Sequence, residues 1–87
     1  MKQGLIIEAN GDKHWYKNNF LHREDGPAVE LTNGNRVWYQ NDLFHREDGP
    51  AVEYFTSNEK YWYINGQYIN CGNNEDFLRI LKLKAFL

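Results

Sequence analysis

Eighty-seven residues make one domain and no more, and so short a chain buries only about 60–65% of the surface its unfolded form exposes. The net charge of −2 is too small to draw the chain to nucleic acid or to an anionic membrane, and its one cysteine, Cys71, excludes an internal disulfide framework. With no basic-plus-apolar leader and no apolar run near the roughly 20 residues that cross a bilayer, the expectation is a soluble protein of a reducing, cytoplasmic compartment.

Aromatic residues form 16% of the chain, and Ala and Leu are sparse before residue 77, a composition suited to pleated strands. In chain order, strands are predicted at Leu5–Glu8 and Lys13–Lys17 around a turn at Asn10-Gly11. Asn-Gly is a strong hairpin signal because both residues tolerate positive φ. Asp25-Gly26-Pro27 then marks a sharp bend, since proline fixes φ and donates no hydrogen bond. Ala28–Leu31 and Asn35–Gln40 flank a second Asn-Gly at 33–34, Asp48-Gly49-Pro50 bends the chain again, and Ala51–Phe55 and Lys60–Ile64 follow. The pattern predicts an antiparallel meander of about six short strands, one hairpin per unit. The tail differs. Asn73 or Asn74 is placed to cap a helix with Glu75 and Asp76 in its first turn. Phe77, Ile80, Leu81, Lys84 and Leu87 recur at helical spacing, with Leu78, Ala85 and Phe86 widening the apolar side. A helix over about 75–86 is expected to cap the sheet rather than dock on a partner.

The chain is internally duplicated. His22-Arg23-Glu24-Asp25-Gly26-Pro27-Ala28-Val29-Glu30 recurs unchanged as His45 to Glu53, a spacing of 23. Trp15-Tyr16 matches Trp38-Tyr39, and Asn18 matches Asn41. A third copy begins at Ser57-Asn58, runs through Trp62-Tyr63 and Asn65-Gly66, and then departs without a His-Arg-Glu-Asp block. The step from Trp38 to Trp62 is 24, and the added residue is expected as a β-bulge near Tyr54-Phe55. Residues 1–87 thus read as a single domain of units at about 10–32, 33–56 and 57–72 with a C-terminal helix.

Tyr16-x-Asn18-Asn19-x-x-His22 and Tyr39-x-Asn41-Asp42-x-x-His45, at a period of 23, resemble MORN repeats (membrane occupation and recognition nexus). The chain is closer to a variant group with Trp-Tyr-x-Asn-Gly-x-x-His-Arg-x-Asp-Gly-Pro-Ala units, many of them in small bacteriophage and viral proteins. Asn-Asn and Asn-Asp replace Asn-Gly in two copies here, and only Asn65-Gly66 keeps it. The resemblance implies a mainly β hairpin-repeat meander with a short C-terminal helix. For function it implies scaffolding, lipid binding or protein contact, without choosing among them.

His22, Asp25, His45 and Asp48 invite a metal or acid–base reading, since imidazole and carboxylate three residues apart can share a divalent ion. Turn stabilisation is the stronger reading, because a duplication copies its turn residues while acid–base catalysis needs carboxylates in distinct environments. No Gly-rich phosphate cradle is present, and Cys71 has no base beside it in sequence. Strand alternation puts Trp15 with Lys13 and Lys17, Trp38 with Arg36, and Trp62 with Lys60 and Ile64, while Tyr16, Val37, Tyr39, Tyr61 and Tyr63 face the other way. The tryptophans are expected to pack while Lys and Arg stems pass over them, with Glu30 and Glu53 neutralising the basic positions across strands. The function expected is non-catalytic protein binding through Arg23, Glu24, Arg46 and Glu47 in the loops and Arg36 and Trp38 on the sheet. No catalytic residue, metal ligand or cofactor is assigned. Its sharpest form is a phage-encoded inhibitor of a bacterial defence protein, of the anti-CRISPR kind, and that step is analogy. Two alternatives stay open. One is a metal- or thiol-dependent enzyme using His22/His45 and Asp25/Asp48. The other is a structural homo-oligomer pairing through a sheet edge.

Overall fold

The structure is a computed structural model and describes residues 1–84; Ala85, Phe86 and Leu87, expected on the helix, lie outside the described residues. Its strands are β1 Gly4–Ile7, β2 Lys13–Lys17, β3 Phe20–Leu21, β4 Val29–Glu30, β5 Arg36–Val37, β6 Tyr39–Gln40, β7 Leu43–Phe44, β8 Val52–Glu53, β9 Lys60–Ile64 and β10 Gln67–Ile69, followed by the helix α1, Asn74–Lys84.

Three tight turns organise this chain. Asn18 and Asn19, Asn41 and Asp42, and Asn65 and Gly66 all have positive φ, between 48° and 80°. A pair of left-handed residues is the type I′ geometry whose twist matches that of the flanking strands, and Asn and Asp enter this region more readily than other side chains. These turns close the hairpins β2–β3, β6–β7 and β9–β10. At the two Asn-Gly sites only Gly11 and Gly34 have positive φ. Gly11 N–H donates to the Glu8 carbonyl at 2.9 Å, and Glu8 N–H to the Asp12 carbonyl at 2.8 Å. The loops here are therefore one residue longer than the expected two-residue turns, with glycine closing each. The third such loop is longer again. Tyr54 N–H donates to the Glu59 carbonyl at 2.9 Å, and Asn58, φ 59°, stands where glycine stood. The residue added between Trp38 and Trp62 thus extends a turn and forms no β-bulge.

The sheet runs β1-β2-β4-β5-β8-β9-β10, antiparallel throughout, with β3 on β2 and the β6–β7 pair alongside. Asp42 N–H to the Leu21 carbonyl at 2.9 Å and Gly66 N–H to the Phe44 carbonyl at 2.8 Å tie that pair to its neighbours. The expected six strands become ten. Asn35–Gln40 breaks at Trp38, whose N–H reaches the Ala51 carbonyl at 2.7 Å and whose carbonyl receives His45 N–H at 3.0 Å. Cross-strand register sets Lys13, Glu30, Arg36, Glu53 and Lys60 side by side in alternating charge on the tryptophan face.

The two histidines of the duplicated block staple successive hairpins. His22 Nδ1 accepts the Asn41 N–H at 3.1 Å, and His45 Nδ1 accepts the Asn65 N–H at 2.9 Å. At the open end Gln3 does the same, its Oε1 accepting the Asn18 N–H at 2.7 Å, while the Lys2 carbonyl takes the Asn19 N–H at 2.9 Å. Each staple satisfies a turn donor that otherwise has no acceptor. His45→Ala is expected to lower stability by about 1–3 kcal/mol in urea unfolding, and His45→Gln by less, since Gln3 shows that an amide oxygen fits the role.

Asn73 is the helix cap: its Oδ1 accepts the Asp76 N–H at 2.8 Å and its carbonyl the Phe77 N–H at 3.1 Å. Helix α1 starts one residue before the expected bound. It lies on the tryptophan face of the last hairpin, where Phe77 is wholly buried against Trp62 and Ile69, with Ile64, Cys71, Ile80 and Leu81 around them. Leu78, expected to widen the apolar side, is 48% exposed. Among the described residues, no helix is long and apolar enough to cross a membrane.

Candidate functional site

The first His-Arg-Glu-Asp block lies between β3 and β4, both paired with β2, and the second between β7 and β8, paired with β6 and β5 on either side of Trp38, so each loop folds back over a tryptophan. The arginine makes that cover. The Arg23 guanidinium carbon sits 3.9 Å from the ring centre of Trp15, and that of Arg46 sits 3.9 Å from Trp38. Two nitrogens of each guanidinium, Nε and Nη1, hold the loop. Arg46 Nε donates to Asp48 at 2.8 Å, and Nη1 to the Pro50 carbonyl and to Glu53 Oε2, both at 3.1 Å. Arg23 repeats the pattern with Asp25 at 2.9 Å and the Pro27 carbonyl at 3.1 Å, while Glu30 stands off at 3.7 Å. Glycine follows because a Cβ on Gly26 or Gly49 would lie 2.9 or 2.8 Å from the guanidinium carbon. In the third unit, which lacks the block, Phe77 packs on Trp62 instead, and the Trp62 indole N–H donates to Asn74 Oδ1 at 2.8 Å.

Between the two loops opens a cleft of about 570 Å³, lined by Glu24, Asp25, Glu47 and Asp48 with Arg23, Arg46, Trp38 and Gln40. The four carboxylate side chains are 75–88% exposed. Hydrogen bonding to Arg23 and the charge of that guanidinium hold the Asp25 carboxyl below the ordinary carboxylate range. Glu24 Oε1 and Glu47 Oε2 approach only the imidazoles of His22 and His45, at 3.6 and 3.9 Å. Both glutamates are therefore left to contact other molecules, and against two tied arginines the cleft is acidic.

The residues expected to bind a partner divide. Glu24 and Glu47 stand exposed at the cleft, and Trp38 lines it with its ring covered by Arg46. Arg23 and Arg46 are only 23% and 21% exposed and bind their own loops, so reversing either charge is a packing change rather than the mild surface change expected of a loop residue. Arg36 belongs to the sheet ladder, 2.6 Å from Glu53 and 5.7 Å from the centre of the Trp38 ring. Asp25 and Asp48 accept from Arg23 and Arg46, and sequence reasoning missed that both line the cleft. The available signal was Arg and Asp two residues apart in both copies.

Among the described residues, no three His, Cys, Asp or Glu side chains gather as a metal would need, and the duplicated pairs stay apart in role: His on a turn, Asp on an arginine. Burial, aided by the carboxylate of Asp76, pushes the Cys71 thiol up, which lowers its thiolate fraction near neutral pH. Alkylation of Cys71 by iodoacetamide in the folded protein is expected to run slower than in the urea-unfolded chain, and an equal or faster rate would revive a nucleophilic role.

No protein-family model, no curated protein and no solved structure matches this chain.

Proposed function

We propose that the chain is a non-catalytic protein-binding module, a MORN-like hairpin array, that receives a basic side chain of its partner in the cleft between the two His-Arg-Glu-Asp loops. The observation that carries this reading is that exposed Glu24 and Glu47 line one cleft while both nearby arginines are already bonded to their own loops. A lysine or arginine entering there meets exposed carboxylates from both loops, which favours charge-assisted hydrogen bonds to a cation. Complementary charge of this kind speeds encounter and selects the partner. An inhibitor of a bacterial defence protein, encoded by a phage, is the biological setting that the sequence resemblance suggests, with the host cytoplasm as its place of action.

Bait protein and a Glu24→Lys/Glu47→Lys variant with matched melting curves are exposed to the same bacterial lysates. A protein held by the first and released by the second supports the cleft; equal capture by both removes it. Addition of the purified chain to a reconstituted defence nuclease then tests the inhibitor form, and undiminished cleavage at saturating chain argues against it.

A further inference from the structure

The opposite face of the sheet is built differently. Alternation and register place Ile6, His14, Tyr16, Leu21, Val29, Val37, Tyr39, Phe44, Val52, Tyr61, Tyr63 and Tyr68 on it, and every Lys, Arg and Glu of the described strands on the tryptophan face. Loops and helix cover the tryptophan face; the tyrosine face carries no second layer among the described residues. Its rings nevertheless form a continuous row across the hairpins: Tyr39 to Phe44 at 5.0 Å, Phe44 to Tyr63 at 4.9 Å, and Tyr63 to Tyr68 at 5.5 Å. Tyr68, at the end of this row, is 49% exposed.

We infer that this face is the contact between two copies of the chain, which pack sheet on sheet about a twofold axis. Self-association follows from the chemistry of the face. A twofold contact sets a surface against itself, so a charged patch repels its own copy while an uncharged one does not. Tyrosine hydroxyls both donate and accept, so a tyrosine row can satisfy a second tyrosine row without a foreign partner group. The Tyr39–Phe44 pair also recurs as Tyr63–Tyr68, so the face offers two like aromatic pairs that a twofold can set against each other. Charge returns around it, with Lys2 over Tyr16 at 4.9 Å, Glu59 bonded to the Tyr61 hydroxyl, and Glu8 at 3.7 Å from His14 Nδ1. This inference does not depend on the acidic cleft, which lies on the other face.

Sedimentation equilibrium of the full chain from about 1 to 200 µM is expected to show a reversible shift from 10.4 kDa to twice that mass. Tyr68→Lys, at an exposed edge position, is expected to weaken the dimer more than tenfold while far-UV circular dichroism stays unchanged. Glu24→Lys/Glu47→Lys is expected to leave it intact, which separates this contact from the cleft. Hydroxyl-radical footprinting of the unmodified protein gives a readout independent of any variant: Tyr63 and Tyr68 are protected at high concentration while Phe55, 73% exposed in a loop, is not. A monomer throughout the concentration range, or a dimer whose tyrosines stay as reactive as in the monomer, overturns the inference.

Discussion

Arg46→Ala is expected to lower stability by about 2–4 kcal/mol, a fall of roughly 10–25 °C in melting temperature for a domain of this size. The side chain is only 21% exposed and holds its loop at four points: the Trp38 ring, Asp48, the Pro50 carbonyl and Glu53. Truncation removes the ring's cover and leaves a carbonyl without its donor, while Glu53 keeps Arg36 at 2.6 Å. That retained pair is why the loss stays below what an abandoned buried carboxylate would cause. Lysine restores little, since a point charge cannot bond three acceptors from one plane above an indole. Arg46→Glu should be worse than Arg46→Ala, because it sets a fourth carboxylate among Glu47, Asp48 and Glu53. Arg23→Ala should be milder, with Glu30 at 3.7 Å against 3.1 Å for Glu53. Urea midpoints in the order wild type, Arg23→Ala, Arg46→Ala, Arg46→Glu are the expected result. A wild-type midpoint for Arg46→Ala would show the stack to be incidental. Loss of binding in an Arg46 variant therefore says nothing of contact until its fold has been measured.

Much of the mainly β architecture is legible in the sequence. Lys13–Lys17 and Lys60–Ile64 are strands at the expected bounds, and alternation within them separates tryptophans from tyrosines as expected. Glu30 and Glu53 stand across from Lys13, Arg36 and Lys60, the neutralisation expected from one face of charges. The strands that escaped are the two- and three-residue ones, β3, β7 and β10, which offer too few positions for any period to show. Their turns were visible but misranked. Asn-Gly at 10–11 and 33–34 drew the hairpin reading, whereas Asn18-Asn19 and Asn41-Asp42 hold two successive positive φ values without a glycine.

The candidate site was legible in composition and not in direction. His22 to Glu30 recurs intact, so both loops were expected to share one conformation, and they do in their arginine stacks and aspartate bonds. Sequence does not say whether a loop arginine points to solvent or folds back on a tryptophan eight residues earlier, Trp15 to Arg23 and Trp38 to Arg46. Eight residues after Trp62 stands Asn70, which has no cation to offer, and the vacancy above that ring is filled from the helix. Lys2 and Gln3 were invisible as a closing element for the same reason. An amide replaces an imidazole there, and only the shared acceptor geometry reveals the equivalence.

Removal of residues 75–87 is expected to abolish the cooperative melt, and Phe77→Ala alone to lower stability by about 3–5 kcal/mol. A domain of this length holds roughly 4–13 kcal/mol in all, so one such substitution takes a large share. Among the described residues, Phe77 is the single large side chain with no exposure, and it covers Trp62, itself only 6% exposed. Loss of the helix uncovers that ring together with Ile69, in the one unit that lacks an arginine cover. A deletion one residue longer, taking Asn74 too, strands the Trp62 indole N–H, which donates to Asn74 at 2.8 Å, so Asn74→Ala isolates that contribution and should lower stability by about 1 kcal/mol. Leu78→Ala is the control on the same helix: at 48% exposure its loss should be small. Near-UV circular dichroism follows the tryptophans directly, and the truncated chain is expected to lose most of that signal while keeping strand content by far-UV. A truncated chain that melts cooperatively with the Trp62 signal intact would mean that the sheet holds its last hairpin without help. The helix would then be free to serve another molecule.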